Sequence, residues 1–252
     1  MLKSFQDFSK DSRLQIIIDK ASVLFHEKGY RATSLEDIAK ELGVSKAALY
    51  HYIESKEELL FIIYKQVFDF AFHQAIVIAS SAFPPDEKLR QIIWGHINHV
   101  LIKNIPMFSV FFSMENELSS KYYKKVLEWK KQYNRIIEST IQEGIDQGFI
   151  KDMDSPKLLV FAIIGMCSWL YKWYKPDGKW NGDHISHAFI KILEEGYLKG
   201  PVKPIRQKEI DRTMIRKIKR PSNKEDIMNR LRFQQRLMND LLDQLEDVIK
   251  ET

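Results

Sequence analysis

Residues 43–59, GVSKAALYHYIESKEEL, constrain the fold more than any other stretch of this chain. Gly43 fits the left-handed backbone conformation that ends a helix, because glycine has no Cβ to clash there. Ser45 has the position of an N-cap for a short helix, and Ser55 with Glu58 has the spacing of a capping box for a longer helix. The stretch therefore predicts a turn, a short helix, a second turn and the start of a long helix.

A second pair with capping-box spacing, Thr33 and Glu36, lies just upstream and predicts a helix that ends at Leu42. Two short helices joined by a tight turn that contains glycine form a helix-turn-helix, whose second helix enters the major groove of DNA. The residues that would face DNA from this second helix are Ser45, Lys46, Ala47, Ala48, Tyr50 and His51. The motif thus predicts a DNA-binding module near the N-terminus.

The pattern of these residues resembles the TetR-like family of bacterial transcription factors. The matching residues are Gly29, Thr33, Ile38, Ala39, Gly43, Val44, Ser45, Leu49, Tyr50, Tyr52, Ser55, Lys56, Glu57 and Leu59. Two positions depart from the pattern, since Ala47 stands where glycine is frequent and Tyr52 where phenylalanine or histidine is usual. The resemblance implies an all-α fold, with an N-terminal three-helix DNA-binding domain and a C-terminal helical domain that binds a ligand and dimerises.

The resemblance also implies roles for individual residues on DNA. Contacts to the DNA backbone are expected from Thr33, Ser34, Tyr50, His51 and Lys56, and contacts to base edges from Lys46, Ala47 and Ala48. A lysine can donate hydrogen bonds to guanine, whereas an alanine offers only a methyl contact to thymine. The alternative interpretation makes Tyr50 a packing residue and Lys56 a solvated charge.

The positive charge of the chain lies outside the predicted DNA-binding module. The 252 residues carry a formal net charge of +5. Residues 1–60 contain nine basic and ten acidic residues, whereas residues 199–224 contain ten basic and two acidic residues. The motif, not the net charge, therefore supports DNA binding, and the basic stretch is interpreted either as a solvated linker or as a second arm for DNA.

Composition favours a helical protein of the cytoplasm. Glycine and proline are sparse, and the single cysteine, Cys167, excludes a disulfide within one chain. The N-terminal residues are too polar for a secretion signal, and the longest apolar run, residues 158–171, is shorter than the roughly 20 residues that span a bilayer. We expect a cytoplasmic location, no membrane partner and no cofactor.

Hydrophobic periodicity predicts a series of long helices. The predicted segments are residues 12–29, 55–80, 87–103 and 119–147, a helix that begins at residue 156, and residues 183–198. The second of these should turn Leu59, Ile62, Ile63, Val67, Phe70 and Ala71 inward. The helix from residue 156 is apolar nearly all round, so we expect it to be buried on several sides. With the last helix and the copies in a second subunit, it would form the four-helix bundle of a homodimer.

Aromatic and methionine side chains in the second half of the chain predict an apolar ligand cavity. The candidate residues are Met107, Phe108, Phe111, Phe112, Trp129, Tyr133, Phe161, Trp169 and Trp173. For each of them, the alternative is a role in the core or in the dimer interface. Residues 168–183 are similar to the subgroup of these regulators that controls fatty-acid or aromatic-acid breakdown and responds to acyl-coenzyme A thioesters. This similarity implies that Lys130, Arg135, Lys172 or Lys175 meets the phosphates of coenzyme A.

The predicted domains are a DNA-binding domain at 1–56, a ligand-sensing and dimerisation domain at 57–200, and an extension at 201–252. The extension combines a basic linker with a heptad pattern over residues 227–248, which predicts a helix. The function that fits best is a repressor that binds a palindromic operator as a dimer and is released by a small apolar effector. In the alternative, the C-terminal half and the extension bind another protein.

Enzymes and metal sites find little support in the sequence. The chain contains no GxSxG, GxGxxG, phosphate-loop or HExxH motif, which argues against an enzyme. The pairs His96 with His99 and His184 with His187 have a spacing that suits metal on a helix, yet neither pair has a third ligand at a recognised spacing. We therefore predict hydrogen-bonded or solvent-facing histidines.

Overall fold

A computed structural model describes Phe5 and residues 9–198. Within these residues the elements are helices, apart from an isolated antiparallel bridge between Ile150 and Leu198. The α-helices are α1 (Lys10–Lys28), α2 (Leu35–Leu42), α3 (Lys46–Leu49), α4 (Lys56–Ala79), α5 (Pro85–Gly95), α6 (Ile105–Ser113), α7 (Ser120–Asp146), α8 (Pro156–Ser168), α9 (Leu170–Trp173) and α10 (Gly182–Tyr197). The predicted all-α class is confirmed.

The cap of α2 corrects the prediction by one residue. Ser34, not Thr33, is the N-cap, and it forms a complete capping box with Asp37: the backbone N–H of Asp37 donates to Ser34 Oγ at 3.1 Å, and the N–H of Ser34 donates to Asp37 Oδ2 at 2.8 Å. Thr33 is buried, and its hydroxyl donates to the carbonyl oxygens of Gly29 and Leu24, at 2.8 and 3.3 Å. Thr33 therefore satisfies carbonyl groups at the end of α1 and cannot cap α2.

The predicted signals at Gly43 and Ser45 match the structure, and the one at Ser55 matches it in part. Gly43 has φ 68° and ψ 30°, the left-handed conformation that ends α2. Ser45 caps α3, and Ser55 caps α4 by accepting from the N–H of Glu58 at 3.0 Å. The box at Ser55 is only half formed, because the Glu58 carboxylate accepts from the N–H of Glu54 instead. Gly43 and Ser45 thus end α2 and begin α3.

Helices α1–α3 enclose a small apolar core. Its buried side chains include Ile17, Ala21, Phe25, Leu35, Ile38, Leu49 and Ile53. On α1 the apolar residues Ile17, Ile18, Ala21, Leu24 and Phe25 are buried, whereas Leu14 is half-buried. The core draws on each of the three helices, so the helix-turn-helix has a packed support.

Helix α4 connects this module to the remaining helices, and it packs against α1, α5, α6 and α7. Most of its predicted inward residues are buried, but Ile62 is only half-buried and Phe70 is 40 % exposed, so the prediction for Phe70 was wrong. By length and composition alone α4 is apolar enough to cross a membrane. Its packing against four other helices is that of a core helix.

The chain between α5 and α7 departs from regular helix. A π-helical segment, His96–Leu101, and a short 3-10 segment, Ile102–Asn104, follow α5 directly. Pro106 then occupies the first turn of α6, where its missing N–H costs nothing. The hydroxyl of Tyr64 on α4 donates to the carbonyl oxygen of Val110 at 3.2 Å, which ties α6 to the core.

Within one chain helix α8 keeps an exposed side, so its predicted burial on several sides would need the second subunit of the predicted bundle. Leu158 and Phe161 on α8, and Trp169 directly after it, are 67, 48 and 60 % exposed. On α10, Ile192 is 58 % exposed, and Ala188 is also exposed. We call these residues, with Ala162 and Gly165 between them, the α8/α10 face. The predicted linker and heptad helix of residues 201–252 lie outside the described residues.

Candidate DNA interface and effector cavity

Helix α3 and the turn after it carry five of the nine side chains that were predicted to contact DNA. Ala47 and His51 are exposed, Tyr50 is 49 % exposed, and Ala48 is half-buried. Tyr50 is therefore a surface residue and not a packing residue. Lys46 is exposed too, and its ammonium group is bonded to the carboxylate of Glu36 on α2. This bond lowers the pKa of Glu36 and raises the pKa of Lys46.

The remaining predicted DNA residues have structural partners inside the protein. Thr33 is buried, and Ser34 and Ser45 accept backbone N–H groups as caps. Lys56 Nζ donates to the carbonyl oxygens of Tyr30 and Thr33, each at 3.0 Å, and lies 4.3 Å from the centre of the Tyr30 ring. An ammonium group has three donors, so one N–H of Lys56 remains for a phosphate.

The second feature is an apolar cavity of about 330 Å³ among α4, α6, α7 and α8 and the π-helical segment. Its lining residues are Val67, Phe68, Ala71, His96, Phe108, Phe111, Phe112, Lys130, Tyr133, Asn134, Phe161, Ile164 and Gly165. The volume lies at the small end of the range of about 300–1,000 Å³ for ligand pockets. The wall combines aromatic rings with four polar side chains, a composition that suits an apolar molecule with a polar group.

Five of the nine predicted ligand-binding residues belong to the wall of this cavity. Phe108, Phe111, Phe112, Tyr133 and Phe161 line the cavity. Four other candidates lie outside the lining: Met107, Trp129, Trp169 and Trp173. Among these, Trp129 stacks on Phe61 and Phe68, with ring centres 5.1 and 5.4 Å apart, and Trp169 is exposed.

The prediction missed the α4 residues of the wall, and it also missed His96. On α4, the residues Val67 and Ala71 look like ordinary core positions in the sequence. A usable signal existed for His96, because it follows the apolar residues Ile92, Ile93 and Trp94 in the predicted helix 87–103. A polar residue at such a place needs a hydrogen-bond partner.

His96 and Tyr133 form a buried pair in the cavity wall. The His96 side chain is 7 % exposed, and its Nδ1 lies 2.8 Å from the Tyr133 hydroxyl oxygen. Burial lowers the pKa of His96 to about 4, and burial raises the pKa of Tyr133. Both side chains are therefore neutral at neutral pH.

Lysines near the cavity have different surroundings. The Lys130 ammonium is bonded to the carboxylate of Glu115 and lies 5.4 Å from the centre of the Phe111 ring. Arg135, Lys172 and Lys175 are exposed and do not line the cavity. The charges predicted to meet coenzyme A are thus one lysine in the wall and three groups at the surface.

Polar contacts join the helix-turn-helix side of the molecule to the segment before α7. Arg31 Nε lies 2.8 Å from Glu117 Oε1, and the backbone N–H of Ser119 donates to Glu57 Oε1 at 2.6 Å. Helix α6, which supplies three phenylalanines to the cavity, also packs against α1. Movement of α6 would therefore reach the helix that supports α2 and α3.

Comparison with known proteins matches both halves of this arrangement. Residues 17–62 match the bacterial regulatory proteins of the tetR family, and residues 82–197 match the tetracyclin repressor-like C-terminal domain. The crystal structure of the TetR family transcriptional regulator PfmR from Thermus thermophilus is 30 % identical, with a TM-score of 0.67 over 71 % of this chain and 97 % of that chain. This chain belongs to the TetR family. Its relatives are transcriptional regulators and not enzymes, in agreement with the prediction.

Two further relatives of this TetR-family chain bear on ligands and on repression. The crystal structure of AibR in complex with isovaleryl coenzyme A and operator DNA is 28 % identical, with a TM-score of 0.64 over 72 % of this chain and 97 % of that chain. The HTH-type transcriptional repressor KstR2 of Mycobacterium tuberculosis is 24 % identical over 191 residues, which cover 75 % of this chain and 94 % of that protein.

Proposed function

We propose that this TetR-family protein is a transcriptional repressor that binds a palindromic operator as a homodimer and releases it when a small apolar effector binds. The observation that carries the proposal is the presence in one chain of an exposed, capped α3 and an apolar cavity whose α6 wall packs against α1. As a regulator of transcription, it is expected to act in the cytoplasm.

On DNA, α3 would lie in the major groove, with two copies spaced about 34–36 Å apart, one helical turn of the duplex. Tyr50 and His51 would contact phosphates, and Lys46, Ala47 and Ala48 would face base edges. Their exposure supports these roles. Lys56 and Ser34 would contact the DNA backbone in addition to forming their hydrogen bonds within the protein. Thr33 is buried, so it is no longer proposed as a DNA contact.

The homodimer would form through the α8/α10 face. This face carries the exposed large side chains of Leu158, Phe161, Trp169 and Ile192, with small residues between them. Contiguous exposed apolar side chains mark protein–protein interfaces, and small residues between them allow close helix packing. Phe161 and Gly165 belong both to this face and to the cavity, so dimerisation and effector binding would share one wall.

The effector would occupy the cavity, and an acyl-coenzyme A thioester is the class we favour. AibR binds isovaleryl coenzyme A, and the cavity here has aromatic walls and a lysine in the wall. The acyl group would enter the cavity, while the phosphates of coenzyme A would meet exposed cations such as Lys172 or Arg135. An effector of this kind shifts the equilibrium only by its difference in affinity for the two conformers.

The test is an operator-binding titration. Purified protein is added to labelled DNA from upstream of its own gene, and fluorescence anisotropy is followed as isovaleryl coenzyme A is added. We expect nanomolar binding without effector and a fall in affinity of at least tenfold with it. Free coenzyme A is the control for the nucleotide part. Affinity that rises with the thioester would contradict repression, and no binding to upstream DNA would contradict the operator itself.

A further inference from the structure

The polar groups in the cavity wall are not equivalent. Lys130 already has the carboxylate of Glu115 as a partner. His96 uses Nδ1 to bond Tyr133, but within the part of the chain that the structure describes its Nε2 atom has no hydrogen-bond partner. A buried polar atom left without any partner costs roughly 1–3 kcal/mol, so such atoms in native proteins are nearly always bonded to protein, water or a ligand.

The backbone at this position is also irregular. The π-helical segment starts at His96, directly after the regular helix α5 ends at Gly95. Single π-helical turns are rare in proteins overall, but those that exist are often found at functional sites. The irregular turn and the unsatisfied ring nitrogen thus coincide in one residue of the cavity wall.

We propose that Nε2 of His96 is the recognition point of the cavity, and that the effector carries an uncharged oxygen, a carbonyl or a hydroxyl, on an otherwise apolar body. The proposal rests on the effector role of the cavity given above and names the chemistry of its ligand. When the Tyr133 hydroxyl donates to Nδ1, Nε2 carries the proton and donates to a carbonyl oxygen. In the other tautomer Nε2 accepts from a hydroxyl.

A charged acid does not fit this point. The imidazole is held neutral by burial, so it brings no positive charge to balance a carboxylate. The positive charge in the wall belongs to Lys130, which Glu115 already neutralises. A buried, unpaired carboxylate would be strongly disfavoured. A thioester carbonyl and a free ketone offer the same uncharged oxygen, and the two sources are separated by experiment.

Three probes of nearly equal size test the recognition point. Acetophenone has the carbonyl, ethylbenzene replaces it with a methylene, and benzoate carries a charge. Protein labelled with ¹⁵N in the histidine rings is titrated with each probe, and the Nε2 resonance of His96 and the dissociation constants are measured. We expect acetophenone to shift the Nε2 resonance and to bind roughly tenfold more tightly than ethylbenzene, as one hydrogen bond would give. Benzoate should bind more weakly than acetophenone.

Two variants give the control. His96→Leu should abolish the preference for acetophenone over ethylbenzene, while His96→Gln, which keeps an N–H donor, should retain part of it. Isovaleryl coenzyme A is titrated alongside: a shift of Nε2 by this thioester identifies a thioester source, and a shift by acetophenone alone identifies a free ketone.

Different results would overturn the recognition point and the effector role of the cavity. Equal binding of acetophenone and ethylbenzene inside the cavity, or a preference that survives in His96→Leu, would overturn the recognition point but leave the cavity as the effector site. Absence of every probe, including the thioester, from the cavity would overturn both.

Discussion

The helix-turn-helix module and the helices that follow it differ in how their buried polar groups are hydrogen-bonded within the chain. The buried hydroxyl side chains of the first region have partners: Thr33 donates to two carbonyl oxygens, and Ser22 donates to the carbonyl of Ile18 at 2.8 Å. In the second region, among the described residues, His96 Nε2, Glu194 Oε2 and the Tyr197 hydroxyl are buried without a hydrogen-bond partner. Within one chain the named hydroxyl groups of the first region are thus satisfied, whereas these three polar atoms of the second region have no hydrogen-bond partner among residues 9–198.

Apolar surface differs between the two regions in the same direction. The exposed large apolar side chain of α1–α3 and the turn after it is Tyr50, whose hydroxyl can bond a phosphate. The second region exposes the large apolar side chains of the α8/α10 face and also contains a cavity. A helix-turn-helix that contacts DNA bases gains from rigidity, because base contacts need a fixed register. On the proposed function, the second region gains from surface and polar atoms that are unsatisfied in one chain, because an effector or a second subunit then supplies the missing contacts. The following predictions test this contrast.

The largest effect is expected from charges on the α8/α10 face. The double substitution Trp169→Glu and Ile192→Glu places like charges in an apolar interface, and we expect at least a roughly thousandfold weaker dimerisation. Sedimentation equilibrium measures the dissociation constant. Phe83→Glu is the matched control, because Phe83 is 44 % exposed but lies outside α8 and α10. A dimer that survives the double substitution would show that the chains associate elsewhere.

The next effect concerns the surface of α3. Tyr50→Ala removes a hydroxyl from each of two half-sites of a dimer, and we expect operator affinity to fall several-hundred-fold while the dimer stays intact. Anisotropy on operator DNA and sedimentation give the two measurements. Tyr123→Ala serves as the control, since Tyr123 is a 37 % exposed tyrosine on α7. Unchanged operator binding by the Tyr50 variant would remove α3 from the interface.

A third effect separates the regions by pH. The pKa of His96 is lowered from 6.5 to about 4 in the folded protein, so between these values the unfolded chain binds a proton that the folded chain does not. The free energy of unfolding should therefore fall by about 3 kcal/mol, through this residue, as pH decreases from 6.5 to 4. His96→Gln should lose this part of the pH dependence. Urea unfolding of both proteins at several pH values measures it, and parallel curves would show that His96 is not the group responsible.

The helix boundaries of the helix-turn-helix module were largely predictable because local hydrogen bonds determine them. Ser45 and Ser55 were correctly predicted as caps, because a cap depends on the residues within one turn of it. The error at Thr33 arose because two neighbouring residues were both able to cap α2. The choice was decided by the carbonyl groups of α1, which lie several residues away.

Packing between distant helices explains why the cavity was only partly predictable. Phe108 and Phe111 were found from their aromatic character, but Val67 and His96 line the cavity because α4 and the π-helical segment cross next to α6 and α7. Hydrophobic periodicity predicts individual helices, but it does not predict which helices cross next to one another. The apolar pattern of α8 likewise did not show which of its residues one chain leaves exposed. An apolar pattern identifies a surface that is to be covered, but it does not say whether the cover comes from the same chain.

The smallest predicted effect concerns the bond between Glu36 and Lys46. On free protein Glu36 holds the ammonium group that we assign to base edges, and it adds a negative charge beside DNA. Glu36→Gln should therefore tighten operator binding about two- to fivefold and steepen its dependence on salt, since one more cation per subunit becomes available to DNA. Glu41→Gln is a close control, because Glu41 is also exposed at the end of α2 but pairs with Lys20 at 3.5 Å. If both variants tighten binding equally, general charge and not the release of Lys46 is the cause.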